Sequence, residues 1–176
     1  FWCSFCNNPS FCLNNFFLKG YVQGQFWKDV SHFKDYDIKN AEDPNVGETS
    51  SVPKEAEKEL EKLQIEIGKK LISKIYDKYE CRNVGAWEGV DEGSVKWHND
   101  QLDGKNMNSN VLVYLDDTRE HKNGIDVKSQ IEEYNITPKE NEFVWLNQSR
   151  MYQHKASHNG GRRRILSFEY WIEDIK

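Results

Sequence analysis

Seven short runs between Asn83 and Trp171, each mixing apolar with polar residues and each closed by turn residues, constrain this chain more than any other feature. They predict strands over Asn83–Trp87, Val95–Asp100, Asn110–Leu115, Gly124–Lys128, Glu142–Asn147, Met151–Ser157 and Arg163–Trp171. The breaks carry turn chemistry: EGVDEG, LDGKN, HKNG, TPKENE and HNGG put Gly, Asn, Asp and Pro where the chain must reverse. Short strands must bury one face against a second layer, so the expectation is a β-sandwich or jelly roll.

A different period precedes them. In PKEAEKELEKLQIEIGKKLISKIYDKYE, Leu60, Leu63, Ile67, Leu71 and Ile75 recur at steps of three and four, with charges elsewhere. That is one apolar stripe on a helix lying against something. Ser50 or Ser51 offers the N-cap, with Pro53 just inside the start. The fold class is therefore mainly β with α, helical packing covering one sheet. Residues 1–50 are aromatic and irregular, with Gly20, Gly24 and Gly47 as breakers. At 176 residues the expectation is one domain, with residues 1–80 irregular and helical and residues 81–176 forming the jelly-roll core.

Composition removes some functions. A net charge of -5 leaves Arg162-Arg163-Arg164 as the only basic run, too short to track phosphates, so a nucleic-acid partner is not expected. No apolar run reaches membrane-spanning length, so no membrane is expected either. Cys3 and Cys6 form a CxxC pair, but no second pair completes a zinc site, and Cys12 and Cys81 read as free thiols. The opening segment lacks the apolar core of a signal peptide, and the first residue is Phe, as in a fragment or processed chain. Asn135-Ile-Thr137 and Asn147-Gln-Ser149 fit the glycosylation pattern, which matters only in a secreted chain. The expected compartment is reducing and cytoplasmic.

The chemistry concentrates in VKWHNDQLDG. Residues i and i+2 of a strand share a face, so His98 and Asp100 can reach one metal while Asn99 faces away. An HxD alone is weak, but His154 on the later run MYQHKAS supplies a third ligand. Two histidines and one carboxylate leave three octahedral positions open, the pattern of non-haem Fe(II) oxygenases. His158 is the alternative third ligand, but it sits inside a turn too near Arg163; His32 and His121 lie in polar stretches and read as solvated. Arg163, on the last run, offers a guanidinium fork suited to a carboxylate.

Taken together, WEGVDEGSVKWHND, NVLVYLDD, NGIDV, EFVWLNQSRMYQHKAS and GRRRILSFEYW resemble the Fe(II)/2-oxoglutarate-dependent dioxygenases, most nearly the prolyl hydroxylases. The resemblance covers about Arg82 to Trp171. It implies a double-stranded β-helix, iron on His98, Asp100 and His154, and 2-oxoglutarate and dioxygen as co-substrates, with ascorbate as a further reductant. It implies that Tyr114 and Arg163 hold the far carboxylate of 2-oxoglutarate. Arg162 and Arg164 remain alternatives one position away. Arg163 is preferred because Ser167, four further on, matches a small polar residue of the family, where Arg164 would place Phe168. Ala156 and Trp87 match pocket-wall positions, and Asn110 and Leu112 share the Tyr114 face by alternation. Relatives often carry tyrosine where Trp87 stands, and NGID departs from a double-glycine turn. The implied substrate is a prolyl residue in a peptide, or a small molecule. The rival readings are a metal-binding cupin-like protein and a metalloenzyme that does not use 2-oxoglutarate.

Overall fold

Strands buried on both faces need apolar side chains on both, and two segments provide them: NVLVYL and EFVWLN. In the computed structural model, which describes residues 16–36, 39–41, 49–51, 54–89, 96–100, 107–149, 151–157 and 159–172, they become central strands of the larger sheet. The chain order is β1 (Tyr21–Gln25), β2 (Lys39–Ala41), β3 (Thr49–Ser51), helix α1 (Lys54–Lys70), β4 (Tyr79–Gly89), β5 (Met107–Tyr114), β6 (Ile125–Lys128), β7 (Glu133–Ile136), β8 (Glu142–Asn147), β9 (Gln153–Ala156) and β10 (Arg163–Ile172). Short 3-10 turns occupy Ser31–Asp35 and Ile72–Lys74.

The five-stranded sheet runs β1-β8-β5-β10-β4 and the three-stranded one β7-β6-β9; every pairing is antiparallel. β2 and β3 pair only with each other. Alternation divides the core in two. Val111, Val113, Phe143, Trp145, Leu166, Phe168 and Tyr170 point to one side, where Leu60, Leu63 and Ile67 of α1 cover them. Leu112, Tyr114, Val144, Leu146 and Ile165 point to the other, against Ile125, Val127 and Ile136 of the smaller sheet. Burial of each such side chain is worth about 1.5–3 kcal/mol, so the two cores together hold the layers in place.

Gln64 anchors the helix at a sheet irregularity. The β10–β4 register shifts between Phe168 and Tyr170: Phe168 faces Val84 but Tyr170 faces Cys81, so β4 carries an extra residue opposite Glu169. The carbonyls of Asn83 and Glu169 at this bulge accept from Gln64 Nε2 at 3.1 and 2.8 Å, and Tyr170 Oη donates to the Gln64 carbonyl at 2.7 Å. Gly68, one turn on, is needed for close approach: a Cβ there would lie 2.6 Å from the Tyr79 ring.

Six of the seven expected strands are present, β8 with the expected ends and the other five with ends shifted by up to a few residues. Val95–Asp100 is not a ladder strand. Among its described residues only His98 pairs, through an isolated bridge to His154. β1, β2, β3 and β7 were not expected. β1 is an edge strand of five residues containing Gly24, too short and too interrupted to show a period. It also places part of the supposedly irregular N-terminal segment in the main sheet. Ser50 and Ser51 lie in β3, before the described start of α1 at Lys54, and the helix tightens into a 3-10 turn after Lys70 rather than continuing. Cys3, Cys6, Cys12, Val95 and His158 lie outside the described residues. Among the described residues no helix is long and apolar enough to cross a membrane.

Gln64→Leu removes the side-chain donor from the half-buried carbonyls of Asn83 and Glu169. It is expected to lower unfolding stability by about 1–3 kcal/mol with an unchanged denaturant slope, read from urea transitions.

Candidate metal centre

The site begins with a backbone contact. His98 N–H donates to the His154 carbonyl at 3.1 Å and His154 N–H returns the bond at 2.8 Å. A residue pair exchanging both bonds lies directly opposite across two strands, so their side chains emerge on one face. The two imidazoles are 4.4 Å apart between ring centroids. On the far side of β9, His154 faces Val127 of β6, which carries the ring toward the space between the sheets.

Asp100 completes the cluster. Its Oδ1 is 3.4 Å from His98 Nε2 and its Oδ2 is 3.6 Å from His154 Nε2. One donor atom from each of the three residues lies within 4.8 Å of the others, a spacing a single cation can bridge. His98 Nδ1 donates to the Lys96 carbonyl at 2.8 Å, which leaves Nε2 as the ligating nitrogen. Side-chain exposure falls from 41% at His98 through 26% at Asp100 to 12% at His154, so access is from the His98 side.

Two carboxamides hold Asp100. Asn110 Nδ2 donates to Oδ2 at 2.6 Å, and Gln148 Nε2 donates to the same oxygen at 3.0 Å. Gln148 Oε1 lies 3.4 Å from the Asp100 backbone nitrogen. Burial pushes the Asp100 carboxyl pKa up, with His98 pulling it back. Burial, reinforced by His98, pushes His154 down to about 3. Both shifts disfavour charge on these side chains by themselves, and a divalent cation would reverse the penalty on the carboxylate.

The three arginines separate cleanly. Arg162 is exposed and pairs with Glu88 at 2.6 Å. Arg164 is buried but fully engaged: Nε and Nη2 bind the Asp116 carboxylate at 2.9 and 2.5 Å, and Nη1 donates to the Lys34 carbonyl at 3.2 Å. Arg163 is 5% exposed, and its Nε donates to the Gly124 carbonyl at 3.2 Å. No carboxylate of the described residues pairs with it. Its guanidinium carbon lies 5.6 Å from the centroid of the Tyr114 ring, and the Tyr114 hydroxyl is buried with no hydrogen-bond partner among the described residues. Burial raises the Tyr114 pKa, and the Arg163 guanidinium, through its charge and its near hydrogen-bonding approach to the hydroxyl, opposes that rise. A buried cation beside an orphaned hydroxyl is chemically incomplete without an anion.

The remaining expected residues lie on the same inner face. Trp87 and Tyr114 flank Ile165 in one row, and Gly85 and Leu112 flank Ser167 in the next. Ala156 opposes Ile125 in the smaller sheet. Asn110 was expected as pocket lining; its side chain reaches the candidate metal ligand itself. Gln148 and Gly124 were not foreseen. Gln148 follows β8 with no spacing signal to mark it. Gly124 belongs to the NG turn, and a Cβ there would lie 1.7 Å from the Ile136 carbonyl oxygen. His32 lies on the surface with Glu59 at 3.0 Å.

No protein-family model matches the sequence, and no curated protein matches it. Solved structures do match. HygX from Streptomyces hygroscopicus, solved with nickel and 2-oxoglutarate bound, has TM-score 0.69 and 12% identity over 94% of this chain and 87% of that one. A Trichoplax adhaerens prolyl hydroxylase, in complex with a hypoxia inducible factor oxygen degradation domain peptide fragment, has TM-score 0.66 and 12% identity over 94% and 88%. The viral collagen prolyl hydroxylase vCPH of Paramecium Bursaria Chlorella virus-1, a 2OG complex, has TM-score 0.55 and 17% identity over 90% and 97%. The chain thus shares the jelly-roll fold of these oxygenases.

His154 makes the metal-free protein acid-sensitive. Its folded pKa, about 3, lies below the ordinary value near 6.5. As pH falls through about 6.5 the unfolded chain takes up a proton that the folded chain refuses, so stability is lost between those limits. The slope of stability against pH in metal-free protein should exceed that of His154→Asn by about 1.4 kcal/mol per unit between pH ~6 and ~4. Denaturant titrations at stepped pH measure it.

Proposed function

We propose that the protein is an Fe(II)- and 2-oxoglutarate-dependent dioxygenase that hydroxylates a C–H bond, with a prolyl residue in a peptide as its substrate. The observation that carries the reading is a His-Asp-His cluster on the inner face between the sheets, together with a buried guanidinium that has no acidic partner among the described residues. The cluster fits iron: two imidazoles and one carboxylate occupy three positions and leave the others open. The Arg163 and Tyr114 pair fits the far carboxylate of a dicarboxylic keto acid, which would satisfy the guanidinium and the hydroxyl together.

In this reading His98, Asp100 and His154 hold the metal. Arg163 and Tyr114 orient the co-substrate from the opposite end, with Ser167 in the row between. Leu112, Ile165 and Val127 wall the space and keep bulk water from it. Trp87, Asn110 and Ala156 line the remaining sides. When bound, iron with 2-oxoglutarate and dioxygen supplies the oxidising chemistry, yielding succinate, carbon dioxide and a hydroxylated substrate. The peptide reading draws on two prolyl hydroxylases of the same fold, one of them carrying a peptide fragment. A small-molecule substrate is the second reading. It is favoured by Trp87, a bulkier residue than the tyrosine that relatives often carry there, packed against the inner core, and by HygX, which has been solved with hygromycin B bound.

Loss of a charged hydrogen-bond partner costs about 1.5–3 kcal/mol. Arg163→Ala should therefore weaken 2-oxoglutarate binding to the Mn(II)-loaded protein roughly 10- to 150-fold in calorimetry. Arg164→Ala should lower thermal stability and leave that affinity within a few-fold. The reverse pattern places the anion site on Arg164. Succinate release stimulated by a proline-containing peptide supports the substrate assignment; stimulation only by small molecules replaces it.

A further inference from the structure

The orientation of Arg163 depends on a contact that its own strand does not supply. Its Nε donates to the carbonyl of Gly124, which lies 39 residues earlier, just before β6. A guanidinium is planar, so an Nε held by one carbonyl fixes the plane in which the two terminal nitrogens can meet a carboxylate. Whatever fixes that carbonyl therefore aims the fork. We infer that Asn123 is a positioning residue for Arg163: its carboxamide staples the loop that ends at Gly124 to the loop that leads into Arg163. The inference rests on the anion-site reading proposed above.

The hydrogen bonds carry it. Asn123 is buried, and its side chain is used at both ends. Nδ2 donates to the Gly160 carbonyl, and Oδ1 accepts from the Asn159 N–H at 2.7 Å. A carbonyl can only accept and a backbone N–H can only donate, so the two partners fix which way the amide points. Asn123 adjoins the residue that supplies the acceptor of the Nε bond. Gly160 stands three residues before the one that supplies the donor. The staple thus sets the two ends of that bond relative to each other. Parallel ties repeat the pattern. Ser157 Oγ and Asn159 Nδ2 donate to the Lys122 carbonyl at 3.0 and 3.3 Å, and Ser157 N–H donates to the Gly124 carbonyl itself at 3.3 Å.

Both loops are braced behind the staple. Asn123 N–H donates to the Thr118 carbonyl at 3.0 Å, and Thr118 in turn donates to the Pro138 carbonyl from N–H at 3.0 Å and from Oγ1 at 2.8 Å. On the other side Gly160 and Gly161 hold φ of 86° and 74°, a turn that side chains resist, and a Cβ on Gly161 would lie 2.6 Å from the His121 ring. A staple that served only loop stability would affect every ligand of the site alike, or none. One that aims Arg163 acts on the carboxylate that Arg163 meets and on nothing else.

A double-mutant cycle on 2-oxoglutarate binding to the Mn(II)-loaded protein separates these, with Asn123→Ala, Arg163→Ala and the double variant compared by calorimetry. 2-Oxobutyrate, which has the same chelating end and no far carboxylate, is titrated beside it. Asn123→Ala should weaken 2-oxoglutarate binding roughly 5- to 30-fold and 2-oxobutyrate binding by no more than about twofold. Added to Arg163→Ala it should cost no more than about twofold further, because the group it aims is gone. Gln64→Leu, which destabilises the fold elsewhere, should leave the ratio of the two affinities unchanged. If Asn123→Ala does not fold well enough to load metal, Asn159→Ala takes its place in the cycle, with a loss of roughly 2- to 10-fold confined to 2-oxoglutarate. Equal weakening of both keto acids, losses that add across the cycle, or an unchanged 2-oxoglutarate affinity overturns the staple and leaves the anion site on Arg163 intact. A parent that binds 2-oxoglutarate no tighter than 2-oxobutyrate overturns the anion-site reading and the staple with it.

Discussion

The pair of backbone hydrogen bonds between His98 and His154 is the contact on which the rest of the site depends. It sets two imidazoles opposite each other, one from a segment with no ladder of its own and one from a strand of the smaller sheet. A one-residue slip would turn one ring to the other face and dissolve the cluster. The smaller sheet is thereby extended to β7-β6-β9 plus a single bridged residue. The short strands and tight turns between Asn83 and Trp171 bring that bridge over the inner face of the larger sheet, where Asn110 and Gln148 meet Asp100.

The second organising constraint is charge. Two neighbouring arginines are both buried, and they resolve the problem in opposite ways. Arg164 turns toward Asp116 and is neutralised within the protein. Arg163 turns inward, with the Gly124 carbonyl on its Nε, the Tyr114 hydroxyl nearby and no carboxylate among the described residues paired with it. A buried guanidinium without an acidic partner costs several kcal/mol unless a ligand supplies the anion. The apolar rows around it, Ile165, Leu112 and Val144, make that anion's attraction stronger by excluding water. In the proposed reading, cluster and cation mark the two ends of one site, with a metal at the more exposed His98 side and an anion at the more buried Arg163 side.

Much of this was legible in the sequence because alternation carries it. Glu142–Asn147 matches β8 residue for residue, and alternation puts Arg163 on the face of Ile165 and Ser167 and Arg164 on that of Leu166 and Phe168. Other parts were not legible, for physical reasons. The Val95–Asp100 run alternates like a strand, yet tertiary contacts give it one bridge only. β1 is too short to show a period, and only its pairing with β8 makes it a strand. Gln148 acts on a residue 48 positions earlier, and no local pattern announces a contact at that range. Ser50 and Ser51 have the chemistry of helix caps, but pairing with β2 claims their backbone first.

The central claim is one pocket that takes iron at one end and a keto acid's far carboxylate at the other. Anaerobic titration of metal-free protein with Fe(II) and then 2-oxoglutarate tests it most directly, following the weak visible charge-transfer band of a chelated keto acid, with His98→Ala as control. The account predicts a band that appears only with both additions, saturates at one equivalent of each and is absent from the control. Metal binding with no band on adding 2-oxoglutarate would contradict it, and would leave a metal-binding jelly roll of another chemistry.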